Sequence, residues 1–328
     1  MTDAHPFETF GKVVAICGGV GGAKLALGLQ HLLGERLTVV VNVGDDFEHM
    51  GLRICPDLDT VIYTLGGLSD EVRGWGRAGE TWQFMDATRQ FGGEDWFALG
   101  DLDLALHVQR TCRLASGETL TEIIGSITER LRIAPRLLPV TDDDLRTKVK
   151  TDVGVLDFQR YFVEHRCAPV VQRISFEGAG RARLNPAVRA ALAAPDLGAI
   201  VICPSNPYLS IDPVLAVPGL REAMTLSAAP VVAVSPIIGG RAIKGPTAKI
   251  MTELGIETSS ASIAKHYADL IDGLVIDSAD AGDVAGIATP LHVAPTLMTD
   301  LDSRIALARE VLTFATALRT GAPAGRSA

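Results

Sequence analysis

The stretch Gly18-Gly19-Val20-Gly21-Gly22-Ala23-Lys24 lies between a short apolar run, Val13-Val14-Ala15-Ile16-Cys17, and a helix-like run from Leu25 to Leu33. Strand, glycine turn and helix in that order aim backbone N–H groups and a helix N-terminus at an anion. Glycine suits such a turn because a Cβ would block positive φ angles and the close approach of a phosphate. The stretch is neither of the two best-known phosphate loops. A P-loop has Ser or Thr after its lysine, and here Leu25 follows Lys24. The dinucleotide fingerprint G-x-G-x-x-G, begun at Gly19, meets Lys24 where its third glycine belongs. A simple tight turn is the competing reading of the same residues.

Bulk properties limit the partners. The 328 residues are 47% hydrophobic and 21% charged, which predicts a sizeable core and excludes wholesale disorder. A net charge of −9 argues against nucleic acid and anionic membrane as partners. The cysteines, at 17, 55, 112, 167 and 203, form no C-x-x-C pair and read as reduced cytosolic thiols. Residues 1–11 carry no signal-peptide core, and no uncharged apolar run reaches about 18 residues. The expected location is cytoplasmic.

Further along, Leu37–Asn42 is a continuous apolar run of the kind found in sheets buried on both faces. Pro56 and Asp57 open a helix to about Leu65. Helical spacing covers Asp101–Cys112 and Glu118–Leu131, and short strands are expected at Arg136–Val140, Thr147–Lys150 and Val153–Phe158. The alternation of strand and helix resumes from Val171, with strands at Ala199–Cys203, Pro230–Ser235 and Gly273–Ile276 and a last helix capped by Asp300. The expectation is a Rossmann-like α/β fold, a mainly parallel sheet with helices on both faces and a mainly helical insertion. Residues 1–66 and 136–318 form the core, 67–135 the insertion, and 319–328 a flexible tail.

Several groups of residues bear chemistry. Asp45, Asp46, Asp57 and Asp59 cluster just past a strand's carboxyl end, where ligands sit in open α/β sheets. Carboxylates beside a phosphate repel it unless a cation lies between, and magnesium takes one or two carboxylates plus phosphate oxygens. A helix cap at Asp57 and a solvated turn at Asp45-Asp46 is an equal alternative. Pro204-Ser205-Asn206-Pro207 and Ser235-Pro236-Ile237-Ile238-Gly239-Gly240 follow strands and can read a base or hold a phosphate, or be ordinary turns. Lys244 and Lys249 could add charge there. Trp96 and Phe97 precede Leu99-Gly100-Asp101-Leu102-Asp103, with His107 beyond. A flat heteroaromatic ligand could stack on the ring, or Asp101 or Asp103 could simply cap a helix.

Taken together these blocks resemble one family, the 2-phospho-L-lactate transferases CofD and FbiA, which act late in making the deazaflavin coenzyme factor 420. The resemblance rests on the glycine block, on Val40–Asp46 and Gly51–Thr60, on Arg73-Gly74-Trp75-Gly76, Glu80-Thr81-Trp82 and Trp96–Asp101, and on the two loops at Pro204 and Ser235. It implies transfer of a three-carbon phosphate from a guanosine diphosphate ester to the hydroxyl of the deazaflavin Fo, with release of GMP. It implies nucleotide binding by Gly18, Gly19, Val20, Gly21, Gly22, Lys24, Ser205, Asn206, Pro207, Ile238 and Gly239. It further implies Fo binding by Asp59, Trp96, Ala98 and Asp101, magnesium on Asp45, Asp57 and Asp59, catalytic roles for Asp59 and Asp46, and a homodimer. Leu102, Leu106 and Asp212 depart from the family pattern, and the three-carbon group stays open among lactate, enolpyruvate and glycerate types. The alternative is a related nucleotide-sugar-binding regulator without turnover. On this reading Asp59→Asn leaves the fold intact by relieving repulsion, and Gly21→Val fills the phosphate cradle.

Overall fold

The run Val13–Cys17 has no exposed face, so it can only be an interior strand. The computed structural model describes residues 7, 10–243 and 245–321 and makes this run part of β1 (Lys12–Cys17). The chain continues through α1 (Gly19–Leu33), β2 (Leu37–Val41), the hairpin β3 (Phe47–His49) and β4 (Leu52–Ile54), and α2 (Pro56–Leu65). The helices α3 (Gln83–Gln90), α4 (Asp101–Ala115) and α5 (Leu120–Arg130) follow, then β5 (Arg136–Pro139). Next come β6 (Arg146–Thr151), β7 (Gly154–Asp157), a π-helical turn at Arg160–Glu164, and β8 (Val171–Glu177). The remainder is α6 (Pro186–Leu192), β9 (Leu197–Ile202), α7 (Asp212–Leu215), α8 (Leu220–Thr225), β10 (Val231–Val234), β11 (Ile237–Ile238), β12 (Arg241–Ala242), α9 (Thr247–Glu253), α10 (Ser260–His266), β13 (Gly273–Asp277), β14 (Leu291–Ala294) and α11 (Leu301–Thr320).

Seven strands form one parallel sheet in the order β14-β13-β10-β9-β1-β2-β5. The chain builds outward from β1 to β2 and β5, then returns to the other side of β1 and builds outward again from β9. Helices cover both faces, and the fold is Rossmann-like α/β. The reversal between β1 and β9 is a topological switch point, where the loops after adjacent strands diverge and leave a crevice. Behind β1, α1 packs against α2 and α11. A Cβ on Gly28 would lie 2.1 Å from the Arg304 carbonyl oxygen, so glycine is what lets α1 and α11 approach.

The helix starts follow local chemistry. Pro56 opens α2, Thr119 and Glu122 form a reciprocal cap on α5, and Asp300 and Ser303 do the same on α11. Two expectations change. Val171–Glu177 does not return to the parallel sheet; it pairs antiparallel with β6 in a separate three-stranded sheet with β7. Its exposed Gln172, Arg173 and Ser175 distinguish it from the fully buried Ala199–Ile202. Leu291–Ala294 adds an edge strand that was not anticipated, only half-buried and short. Lys244 and residues 322–328 lie outside the described residues.

Candidate functional site

A cleft of about 760 Å³ opens over the carboxyl ends of the parallel strands, lined at its base by Gly18–Gly21 after β1, Asp45 after β2 and Pro204–Asn206 after β9. The loops after β1 and β9 are pinned together. The Ser205 hydroxyl accepts from the Gly18 N–H at 3.2 Å and donates to the Gly18 carbonyl at 2.7 Å. Gly19 adopts φ +62°, the left-handed turn that starts α1. Gly21 and Gly22 answer a different need. A Cβ on Gly21 would lie 2.4 Å from the Pro204 carbonyl oxygen, and one on Gly22 2.4 Å from Ser205 Oγ. These two glycines therefore let the helix start pack on the β9 loop. Gly21→Val would meet the Pro204 carbonyl, a packing contact that the expectation from sequence did not include.

Asp57 reaches this turn from α2. Its Oδ1 accepts from the Gly19 N–H at 2.6 Å and its Oδ2 from Asn42 Nδ2 at 2.9 Å. The same Nδ2 donates to Asp45 Oδ1 at 2.9 Å. Asn42 thus bridges two buried carboxylates at the helix N-terminus. Burial pushes the Asp57 carboxyl up to about 6, although the Asn42 and Gly19 hydrogen bonds oppose the rise. Burial and the neighbouring Asp57 push Asp45 well above its ordinary value. Two buried acids sharing one amide are a pair short of positive charge.

Asp59 is placed otherwise. Two positions along a helix point to different sides, and the Asp59 carboxylate turns to the guanidinium of Arg110, which is fully buried. Burial raises the Asp59 carboxyl, with Arg110 and His107 opposing. Arg110 is the residue that the sequence reading missed. It lies on one face of α4 with Asp103 and His107, at spacings of seven and three, and that periodicity is the signal for it. The His107 ring comes within 3.2 Å of Asp103 and 3.7 Å of Asp59. The Tyr63 hydroxyl donates to Asp103. Asp46 does not line the cleft. It accepts from Cys55 Sγ at 3.1 Å and lies 3.6 Å from Arg53, and burial pushes its carboxyl up to about 6.

The opposite wall is aromatic. Trp96, Phe97 and Ala98 line it together with Phe158 and Phe162, whose rings stack at 5.5 Å. Arg160 lies 4.4 Å above the Trp96 ring and 3.5 Å from Glu94, tying the π-helical turn to the 94–98 segment. Asp101 does not line the cleft. Its carboxylate accepts from the Thr81 hydroxyl and from the Gln83 and Phe84 N–H groups, which fixes the start of α3. Nor do Asp101 and Asp103 cap α4. Glu80 takes the Leu102 and Asp103 N–H groups, both at 2.8 Å.

The remaining candidates divide. Val20, Lys24, Asn206 and Ile238 line the cleft; Gly22, Pro207 and Gly239 do not. Lys24 donates to the Met298 carbonyl at 2.7 Å. The Asn206 side-chain oxygen caps Tyr208 and Leu209, and its Nδ2 is buried with no partner among the described residues. Gly239 gives its N–H to Asp280. Lys249 lies apart, bonded to the Pro169 carbonyl and paired with Glu253. Asp212, one of the departures from the family pattern, pairs with His266 at 2.8 Å. Among the described residues no three His, Cys, Asp or Glu side chains gather into a group able to hold a metal by themselves. Nor is any described helix long and apolar enough to cross a membrane.

A doubly wound sheet with an acidic cleft at its switch point defines a Rossmann-like α/β protein with a ligand site at the strand ends. Residues 13–291 match the family described as 2-phospho-L-lactate transferase CofD, and the chain belongs to that family of transferases. Similar proteins named phosphoenolpyruvate transferase occur in Kitasatospora aureofaciens, 41% identical over 94% of this chain and 99% of the relative, and in Streptomyces coelicolor, 38% identical over the same shares. A third, from Mycobacterium sp. strain KMS, is 37% identical over 88% of this chain and 94% of its own. The fold resembles the crystal structure of a UPF0052 family member from Bacillus halodurans, with a TM-score of 0.62 at 15% identity over 92% of this chain and 99% of that one.

Proposed function

We propose that the chain transfers a three-carbon phosphate group, of the phosphoenolpyruvyl type named for its relatives, from a guanosine diphosphate ester to the hydroxyl of the deazaflavin Fo, in synthesis of the deazaflavin coenzyme. The hydroxyl oxygen forms a bond to the phosphorus that bears the three-carbon unit. The anhydride bond breaks, GMP leaves with the bridging oxygen, and the hydroxyl proton passes to solvent. Such transfers depend on positioning and charge neutralisation more than on covalent help.

The observation that carries this reading is the pair Asp45 and Asp57, joined by Asn42 under the N-terminus of α1. A diphosphate at Gly19–Gly21 would meet those two carboxylates. The donor set fits magnesium, which takes one or two carboxylates and completes its shell with phosphate oxygens and water. Bound there, the cation would neutralise diphosphate charge. Asp45 and Asp57 are its holders in this reading, and Asp59, committed to Arg110, faces the acceptor side. The unpartnered Asn206 Nδ2 supplies a donor for the nucleotide, and the Trp96 wall a surface for the flat acceptor. Mass spectrometry of the product from Fo and a panel of guanylylated lactate, enolpyruvate and glycerate donors tests the proposal. Fo extended by one of the three groups, with GMP formed in equal amount, is the expected result. Binding of nucleotide without any product would turn the assignment toward the regulator.

A further inference from the structure

Among the described residues that line the cleft, Lys24 and Arg73 carry the permanent positive charge, against Asp45, Asp57, Asp59 and Asp103. Lys24 lies in α1 beside the glycine turn, at the end that suits a diphosphate. Arg73 lies in the loop between α2 and α3 and is clamped. Its guanidinium carbon is 5.2 Å from the centre of the Trp75 ring and 5.1 Å from that of Trp82. Nε donates to Asp70 at 2.9 Å and Nη2 to the Arg77 carbonyl at 2.7 Å. The loop itself is anchored, with the Leu68 and Ser69 N–H groups on the Tyr63 carbonyl and Glu71 on Arg304 at 3.1 Å. A guanidinium has five N–H donors, and these contacts use two of them. Both hydrogens of Nη1 have no partner among the described residues.

An arginine stacked on indole and held along one edge keeps its other edge fixed in direction and poorly hydrated on its faces. That edge matches a planar carboxylate, which it can take bidentately. The donor proposed above carries such a group besides its diphosphate, because lactate, enolpyruvate and glycerate are all carboxylates. In a cleft lined by four aspartates that carboxylate needs a cation of its own. We propose that the open edge of Arg73 receives the carboxylate of the donor's three-carbon unit, making Arg73 the residue that selects an acidic group for transfer. This inference rests on the transfer reaction proposed above.

The test is titration calorimetry in magnesium with three ligands: GDP, the guanosine diphosphate ester of enolpyruvate, and the same ester with a carboxamide in place of the carboxylate. Wild type should bind the carboxylate ester about tenfold or more tightly than the carboxamide, the size of one charge-assisted contact. Arg73→Met should abolish that ratio and leave GDP and the carboxamide within about twofold of wild type, a change too small to count as a lost contact. Arg73→Lys, which keeps the charge but not the fork, should retain part of the ratio and serves if the methionine variant does not fold. A full ratio in Arg73→Met overturns the proposal. So does parallel weakening of all three ligands, which would make Arg73 a clamp for the tryptophans only. So does a wild type that binds GDP but ignores the carboxylate. A wild type that fails to bind GDP overturns the nucleotide reading itself, and this inference with it.

Discussion

On the side of β1 and β9 the cleft is lined by backbone, by glycine and proline loops that pack within 2.4 Å of where a Cβ would stand. On the side of α4 and the π-helical turn it is lined by side chains, held through Asp59–Arg110, Tyr63–Asp103 and Arg160 over Trp96. The first wall depends on a few residues having no side chain at all. The second depends on charges and rings from distant segments finding one another. Substitutions on the two walls should therefore fail differently: the backbone wall through packing and cation binding, the side-chain wall through stranded charge and lost acceptor contacts.

The sharpest break comes from the same substitution made two positions apart. Asp59→Asn should cost about 3 kcal/mol of stability, because it leaves the Arg110 guanidinium buried against a neutral amide. Urea unfolding measures it. This reverses the expectation from sequence that the variant merely relieves repulsion, since the nearest charge to Asp59 is positive. Asp57→Asn removes a buried charge but leaves either the Gly19 N–H or the Asn42 amide without its acceptor. It should change stability far less than Asp59→Asn without metal, and slow the transfer by about a hundredfold or more through loss of one electrostatic contact. Fo turnover against magnesium concentration reads that effect. Equal melting behaviour of the two variants would dissolve the distinction between the walls.

How much of this was legible can be seen in the same residues. The glycine turn, the start of α2 at Pro56 and the buried runs of β1, β2 and β9 were readable because local rules set them, such as unbroken apolar character and helix-start chemistry. That Asp45 and Asp57 face one amide was not, because Asn42 acts through its side chain across a turn. Asp101 looked like a ligand group because it follows an aromatic pair, yet its partners lie 17 to 20 residues back. Arg110 was hidden by a rule that usually holds, that arginine is seldom fully buried.

Smaller effects sharpen the contrast. Gly21→Val should destabilise the protein by about 1–3 kcal/mol, the range for a forced clash in a close-packed site, and weaken GDP in the folded fraction as well, because the shift falls on the Gly21 and Pro204 backbone that lines the cleft. A melting curve beside a GDP titration separates the two. Trp96→Ala should weaken Fo by about tenfold, as for loss of one stacking ring, with GDP affinity unchanged. Fluorescence titration with both ligands would show whether the aromatic wall serves the acceptor alone.

The mildest test is a pH series on metal-free protein. Asp57 has its folded value near 6, above the ordinary carboxylate value of about 3.9. Between those values the folded state holds the extra proton, so its contribution is full below the lower value and is lost as pH rises through the upper one. Measured against Asp57→Asn, wild type should therefore lose stability from pH 4 to pH 7. Asp46, also near 6, is common to both proteins and cancels to first order. A flat difference would mean that Asp57 is not strained by burial.

The position of β1 between β2 and β9 has a consequence for how the molecule is made. During synthesis β1 and β2 emerge together, but the other edge of β1 has no partner until β9 leaves the ribosome, some 180 residues later by its register with Leu197–Ile202. The face of α1 that receives α11 waits longer still, until the final helix ends at Thr320. The nascent chain thus carries an open strand edge and a bare apolar helix face through most of its translation, the conditions under which chains pair wrongly with one another. The cleft, seated where β1 meets β9, cannot exist before that late closure. Truncations ending short of β9 should accordingly yield aggregates and no nucleotide-binding fragment.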